Sequence, residues 1–542
     1  MSTVGAGAAP LPFTVAGFSL QSWGFAIRIW IAAVVALLVS FWLQLQAPST
    51  AIITVMILAE PTRGQALQKA GYRLIATALG VAASIAIVGL LSQTRDLMLL
   101  AFAAWMGLCV YACGLLDGYR AYAAVLSGYT VALIAIQQID NPLHVFDAAM
   151  DRGAAIAVGA LSITLVNDLL FAPDRHPQIG VQLAALHRRV WSYAQSVIRG
   201  EVVDVMAVAA LIRDTVALRP DITSLAAESS SGSVRSAAAR SAMVALISDL
   251  HAVRALAGLP EVTGPALREF RRRDAEVRLH LASLNSVTRP LRSWKAPLYS
   301  SQRIAIENGV RAVIWIVLAA TLLVMAGWPS ASFAFGLIGV IIGLGATTPA
   351  PRMFTTLGFI GAPIAVALTG ILEFSVLNGV SDFPLLAIGL APFMIGAALF
   401  ASGQNPVLAG LGKVNLIFIS AIFAASNPQT YNPQAYLFTS LFICVAISLL
   451  LAMQYLIPPV SEGRRRRWLL VSARRELDLL RVRADRRYAP EEATFRDAVR
   501  VGQIVAGPRD AEYRASVEEA LTCFDQAAAI RLSATHKHRG RS

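Results

Sequence analysis

The stretch 25-FAIRIWIAAVVALLVSFWLQLQAPSTA-51 has a recast copy at 308-NGVRAVIWIVLAATLLVMAGWPSAS-332. Both are apolar over a length near the roughly 20 residues a helix needs to cross a hydrocarbon core. Each carries one arginine near its start, Arg28 and Arg311, and each meets a Pro-Ser pair, Pro48-Ser49 and Pro329-Ser330. Two such openings in one chain predict a duplicated membrane block. Working outward, further apolar runs place spans near 24–44, 48–60, 73–92, 97–116, 120–137 and 149–171. A second set falls near 306–328, 330–347, 355–377, 383–402, 407–425 and 436–457. An even number of spans per copy makes the repeats parallel, with their axis along the membrane normal.

Charge sorts along the chain in the same way. Mean hydropathy is +0.60 and only 15% of residues are charged, yet the net charge is +13. Residues 172–302 and 458–542 each carry +6, and the other 326 residues carry +1. The apolar part is therefore nearly neutral, as lipid requires. A soluble enzyme, a secreted disulfide scaffold and a disordered chain are excluded. The two basic segments show apolar positions at three- and four-residue spacing, as at Leu469, Leu470, Leu477 and Leu480, and read as helical.

Lysine and arginine favour the cytoplasmic side. With the N-terminus inside, the loop after the second span holds Arg63, Lys69 and Arg73, and Arg120, Arg352 and Lys413 also lie at or near the inside. Only Arg95 and Arg152 fall outside. The first 22 residues hold no Lys or Arg, so the first span reads as a retained helix rather than a cleaved signal. The expected layout is an all-α membrane protein with about 12 transmembrane helices, as two parallel six-helix repeats, each followed by a helical cytoplasmic domain. Its parts are an N-terminal segment 1–23, a membrane block 24–171, a cytoplasmic domain 172–302, a second block 303–457 and a cytoplasmic domain 458–542.

Enzyme signatures are missing: there is no G-x-S-x-G, H-E-x-x-H, C-x-x-C or G-x-G-x-x-G. Cys109 and Cys113 share a helix face but have no His or carboxylate at ligand spacing, so they read as small buried residues. His536 and His538 read as a polar tail. The 464-RRRR-467 run follows the last span and reads as a positive-inside anchor on lipid headgroups, with no nucleic-acid motif anywhere. No metal or other cofactor is expected.

Short spans at matching positions of two repeats point to a transport path. The second span is bounded by Pro48 and Pro61, and its counterpart by Pro329 and Pro349. They lead into 61-PTRG-64 and 347-TTPAPR-352. Either these segments line the path, or Gly339 and Gly343 form a helix-packing face. Among ionisable residues near hydrocarbon, Arg28, Arg63, Arg73, Arg120, Arg152, Arg311 and Lys413 suit an anionic substrate through charge-assisted hydrogen bonds. Glu60, Asp117, Asp151 and Asp168 suit a coupling proton, and Glu60 and Asp168 stand in the more apolar surroundings.

The runs 73-RLIATALG-80, 105-WMGLCVYACGLLDGYRAYAAVLSGYTVALI-134, 328-WPSAS-332, 383-FPLLAIGLAP-392 and 427-NPQTYNPQAYL-437, in this order, resemble the fusaric acid resistance (FUSC) family. Thr77 and Tyr129, in the first two runs, join the candidate translocation residues. The chain departs from the family's common acids at Ala155 and Thr348. The resemblance implies proton-driven export of aromatic or other weak organic acids from the bacterial inner membrane. Lipid, a small organic-acid substrate, a periplasmic adaptor of the membrane-fusion type and a homo-oligomer are the partners it implies. A passive organic-anion channel and a membrane scaffold are the alternatives.

Overall fold

The computed structural model describes residues 14–539, apart from 202–203, 260–263, 329–330, 349, 381 and 483–486. Pro329, Ser330 and Pro349, which marked the second short segment in the sequence, lie outside the described residues, as do the side chains of His536 and His538. A two-residue antiparallel pair, β1 (Thr14–Val15) and β2 (Phe18–Ser19), leads into the first helix. Among the described residues, everything else of regular structure is helical.

The first apolar block folds as α1 (Leu20–Trp42), α2 (Pro48–Leu58), α3 (Arg63–Leu91), α4 (Arg95–Leu115), α5 (Gly118–Ile134) and α6 (Val145–Leu169). After it come α7 (His176–Ile198), α8 (Val205–Ala217), α9 (Arg219–Ser224), α10 (Gly232–Ala257) and α11 (Gly264–Ser286). The second apolar block folds as α12 (Gln302–Ala326), α13 (Ala331–Ala346), α14 (Pro351–Ile371), α15 (Phe383–Ala401), α16 (Pro406–Phe423) and α17 (Pro433–Leu456). The chain closes with α18 (Glu462–Val482), α19 (Pro490–Val505) and α20 (Tyr513–Arg539). Among the described residues, nine helices are long and apolar enough to cross a membrane, and the protein is a multi-pass membrane protein. The apolar α2 and α13 are shorter, and α5 has 17 residues. With 11 residues, α2 covers about 16 Å, as its flanking prolines predict.

The third span begins ten residues earlier than the sequence suggests. Arg63, Lys69 and Arg73 do not sit in a loop but follow one another along α3. Hydropathy reads 63-RGQALQKAGY-72 as polar connection, yet Ala, Leu, Gln and Lys are good helix formers and no proline interrupts them. Helix ends elsewhere follow local chemistry. Ser19, Asn405 and Asn432 accept backbone N–H groups at the starts of α1, α16 and α17.

The apolar helices share one core. Its contacts pair up. Helix α1 packs on α15, and α12 packs on α4; α2 packs on α16, and α13 packs on α5. The α4–α12 crossing is backbone-tight, since a Cβ on Gly309 would stand 2.8 Å from the Gly107 carbonyl oxygen. The α1–α15 crossing is instead bridged by Trp30, whose Nε1 donates to the Ala387 carbonyl at 2.9 Å.

The two basic segments, far apart in sequence, also share one core. Phe270, Phe495 and Phe524 meet around the largely buried α10. Arg254 on α10 donates to Asp525 on α20 at 3.0 Å, and Arg273 on α11 donates to Glu491 on α19 at 2.9 Å. Within this second helical module, Glu476 on α18 accepts from Arg496 at 2.7 Å and pairs with Arg500. Burial alone would raise the Glu476 carboxyl, but Arg500, Arg496 and Arg531 outweigh it and hold it below its ordinary 4.5. A lowered carboxyl stabilises the fold above its unfolded value and loses that contribution as pH falls through its folded value. Glu476→Gln is therefore expected to cost about 3 kcal/mol at neutral pH. The gap to the wild type should close as pH falls below the carboxylate range. Thermal melts followed by tryptophan fluorescence measure both, and a gap independent of pH would refute the charge account.

The module grips the corner between α2 and α3. Gly64 passes so near α9 that a Cβ there would lie 2.8 Å from the Ser224 carbonyl oxygen. Gln65 donates to Asp221 at 3.1 Å, and Asp117, at the start of α5, pairs with Arg219. Burial and the neighbouring Arg240 hold the Arg219 guanidinium below its ordinary value.

Candidate functional site

Helix α3 carries Arg73 ten residues beyond its first residue, about 15 Å along the axis. The side chain is only 4% exposed. Its Nη1 donates to the Tyr122 hydroxyl of α5 at 2.7 Å, and its Nη2 donates to Thr54 Oγ1 of α2 at 3.1 Å. Thr54 gives its own proton to the Thr50 carbonyl at 2.8 Å, so its oxygen is left to accept. Thr77 lies one helical turn after Arg73, buried, with its hydroxyl unbonded within the protein. Tyr129 lies two turns after Tyr122 on α5, also buried. Arg152 on α6 stands within electrostatic reach of both Arg73 and Tyr129. Four helices thus converge, and small residues let them. A Cβ on Gly80 would meet Thr130 of α5 at 2.5 Å, and one on Gly159 would run into the Ala51 carbonyl of α2.

Among the described residues, neither Arg73 nor Arg152 has a carboxylate partner. Arg28, Arg120 and Lys413 share this among the described residues, whereas three other cations are paired. Arg311 is tied to Glu307 at 2.7 Å, Lys69 to Glu60 at 2.7 Å and Arg63 to Asp168. Two guanidinium groups within electrostatic reach repel, and the more so where burial lowers the local dielectric. A carboxylate placed between two guanidinium groups replaces that repulsion with charge-assisted hydrogen bonds.

A second cluster forms where the two blocks meet. Arg28, Glu60 and Lys413 line a cleft of about 760 Å³ whose walls include β2, α1, the α2–α3 corner and the α15–α16 corner. Arg28 is buried and donates to the Pro61 carbonyl at 3.4 Å. A second cleft, about 590 Å³, lies at the module junction and takes in Arg120, which donates to the Tyr72 hydroxyl at 3.1 Å.

The candidates named from sequence therefore separate. Arg73, Thr77, Tyr129 and Arg152 come together, and Arg28, Glu60 and Lys413 come together. Asp168 does not lie in apolar surroundings: it is more than half exposed at the end of α6, because Arg63 draws it to the surface. Asp117 belongs to the joint with α9, and Arg311 to an ion pair with Glu307 that Arg464 also joins. Asp151 is part-buried beside Arg152, with no ion pair among the described residues. Gly339 and Gly343 face α5, where a Cβ would meet Ala132 at 2.9 Å and the Tyr129 ring at 3.0 Å. They are a packing face, and they bring the second block against the Arg73 cluster. Sequence reasoning missed Thr54 and Tyr122. A seven-residue spacing puts Tyr122 and Tyr129 on one face of a helix, and that signal is visible in 118-GYRAYAAVLSGY-129.

Cys109 and Cys113 are buried against α5 and α13 and have no ligating neighbours of other types among the described residues. No disulfide forms between them.

A sequence model described as the fusaric acid resistance protein family matches residues 22–264 and again 262–538. The chain is 27% identical over 511 residues to the p-hydroxybenzoic acid efflux pump subunit AaeB of Shigella boydii serotype 4. The alignment spans 82% of this chain and 77% of that protein. Proteins of the same description from Escherichia coli, including strain E24377A, show the same identity and coverage. No solved structure matches.

Proposed function

The chain belongs to the fusaric acid resistance protein family, and from that premise we propose that it is an efflux transporter for aromatic or other weak organic acids. The observation that carries the proposal is the buried Arg73 guanidinium with the part-buried Arg152 near it, neither with a carboxylate of its own among the described residues. A substrate carboxylate neutralises them. Tyr129 and Tyr122 offer an aromatic wall and a hydroxyl of the kind a hydroxybenzoate matches, and similar relatives are described as p-hydroxybenzoic acid pumps. Similar relatives are described as efflux pump subunits, and the activity is transport rather than catalysis.

The twelve apolar helices form two parallel repeats of six. The reciprocal contacts α1–α15 with α12–α4, and α2–α16 with α13–α5, support this layout, as each relates corresponding helices of the two blocks. The protein sits in the bacterial inner membrane. Residues 1–23, 172–302 and 458–542 are cytoplasmic, between the membrane blocks 24–171 and 303–457. Substrate enters through the cleft of Arg28 and Lys413, which takes walls from both repeats and suits movement of one against the other. Export is coupled to protons. Asp117 is held by Arg219 at the module joint and Asp168 by Arg63 at the exposed end of α6, so coupling falls to Asp151, which has no ion pair among the described residues, and to Glu60, which is paired with Lys69 but lines the cleft. A periplasmic adaptor of the membrane-fusion type and self-association complete the working pump.

Inverted membrane vesicles loaded with the protein test this. Uptake of labelled p-hydroxybenzoate against its gradient, stopped by a protonophore, is the expected result. Flux that only runs downhill gives the passive channel instead, and no flux of any aromatic acid overturns the proposal. Glu60→Gln should abolish uphill uptake while leaving exchange of internal for external substrate intact. Full uphill uptake by this variant removes Glu60 from the coupling step.

A further inference from the structure

Three helices of the second helical module converge on a cluster that transport does not use. His187 on α7, Asp249 on α10 and Asp274 on α11 present ligating atoms that all lie within 4.8 Å of one another. Both carboxylates are deep, with Asp249 and Asp274 each 1% exposed. Asp249 is the unusual member. Neither of its carboxylate oxygens has a hydrogen-bond partner. A buried acid with no donor costs several kcal/mol unless something compensates it. Asp274, by contrast, is already oriented. Arg278, one turn on, holds its Oδ2, which leaves Oδ1 facing His187 Nε2 at 2.7 Å.

We propose that His187, Asp249 and Asp274 bind one divalent transition-metal ion of the zinc class, joining α7, α10 and α11. One imidazole nitrogen and two carboxylate oxygens are a donor set that suits zinc, with water as the fourth ligand. Bond lengths of about 2.0–2.2 Å put ligand atoms about 3.3 Å apart. Seating the ion therefore needs only small shifts, with His187 Nε2 and Asp274 Oδ1 opening slightly and Asp249 closing in. The hydrogen bond from Arg278 is the kind of outer contact that fixes a ligating carboxylate. His187 is the part-exposed member of the three, so the ion and its water enter from that side. The ion gives Asp249 the partner that the protein does not supply.

Full-length protein in detergent, stripped with a chelator, is titrated with zinc chloride and, separately, with manganese and magnesium chlorides. The expected result is one zinc ion per chain, a weaker response to manganese and none to magnesium at equal concentration. Melting should rise by about 5 °C in ~100-fold excess over the dissociation constant. Asp249→Asn and His187→Ala should weaken zinc binding by about 100-fold or more. Asp249→Asn keeps the side-chain shape, and its metal-free form should melt close to the metal-free wild type, since no hydrogen bond of Asp249 is lost. A His536→Ala, His538→Ala double variant should bind as the wild type does. Absence of zinc binding, binding unchanged by Asp249→Asn, or binding lost with the tail histidines would each overturn the proposal.

Discussion

Arg73→Ala should raise the KM for an exported aromatic acid about 100-fold while shifting the melting temperature by only a few degrees. Both halves of that expectation come from the same geometry. A hydrogen bond to a charged group is worth about 1.5–3 kcal/mol, a factor of about 10 to 100 in affinity. Arg73 is one of two guanidinium groups available to a carboxylate in the cluster. Its removal relieves repulsion with Arg152 but also deletes the hydrogen bonds to Tyr122 and Thr54, so the two effects oppose one another in the substrate-free protein. Arg73→Lys should fall between the two. Lysine keeps the charge, but a single ammonium cannot reproduce the planar fork that reaches Tyr122 and Thr54 together. Tyr122→Phe removes one acceptor that aims Arg73, and about a tenfold loss is expected. Vesicle uptake across a range of substrate concentrations measures all three. An Arg73→Ala protein with wild-type KM would place the substrate elsewhere. A lower melting temperature with unchanged KM would make Arg73 a structural residue only.

The second large effect is expected at the crossing of α4 and α12. Gly309→Leu brings a Cβ to 2.8 Å from the Gly107 carbonyl oxygen and 3.2 Å from Tyr111 Cβ, before the rest of the side chain is placed. The obstacle is backbone, which cannot swing aside. The two helices must part, and overpacking of this kind costs typically ~1–3 kcal/mol, or more where nothing relaxes. Because the crossing joins the two membrane blocks, the loss should appear as little folded protein in detergent and no export. Gly309→Ala should show a milder form of both. Wild-type yield and export in Gly309→Leu would mean that the blocks do not rest on this crossing. The corresponding α1–α15 contact is made by the Trp30 indole, and Trp30→Phe should be tolerated better, since it deletes one hydrogen bond and adds no atoms.

Much of this architecture is written locally. Apolar length placed the long helices, proline placed the short α2, and charge separated membrane from module. Each of these depends on residues close together in sequence. What the sequence did not disclose depends on partners far apart. Asp168 read as an intramembrane acid because nothing near it announces Arg63, 105 residues earlier. Arg73 and Arg152 read as belonging to opposite sides, since charge rules address loops and both residues lie well inside helices. The start of α3 was hidden for a different reason: hydropathy marks where lipid ends, and a good helix-forming sequence carries on past it. The shared core of the two basic segments needed pairings such as Arg254 with Asp525 across the whole second block. His187, Asp249 and Asp274 are 62 and 25 residues apart, too far for any ligand motif.

The early start of α3 has a mechanical consequence. The same unbroken helix is gripped at Gly64 and Gln65 by α9 and carries Arg73 nine residues further on, about 14 Å along its axis. No proline or break lies between those two points. The segment therefore behaves as a stiff rod with a handle at one end and the Arg73 guanidinium at the other. A tilt or turn of the module at the handle reaches the guanidinium undiminished, with no intervening loop to absorb it.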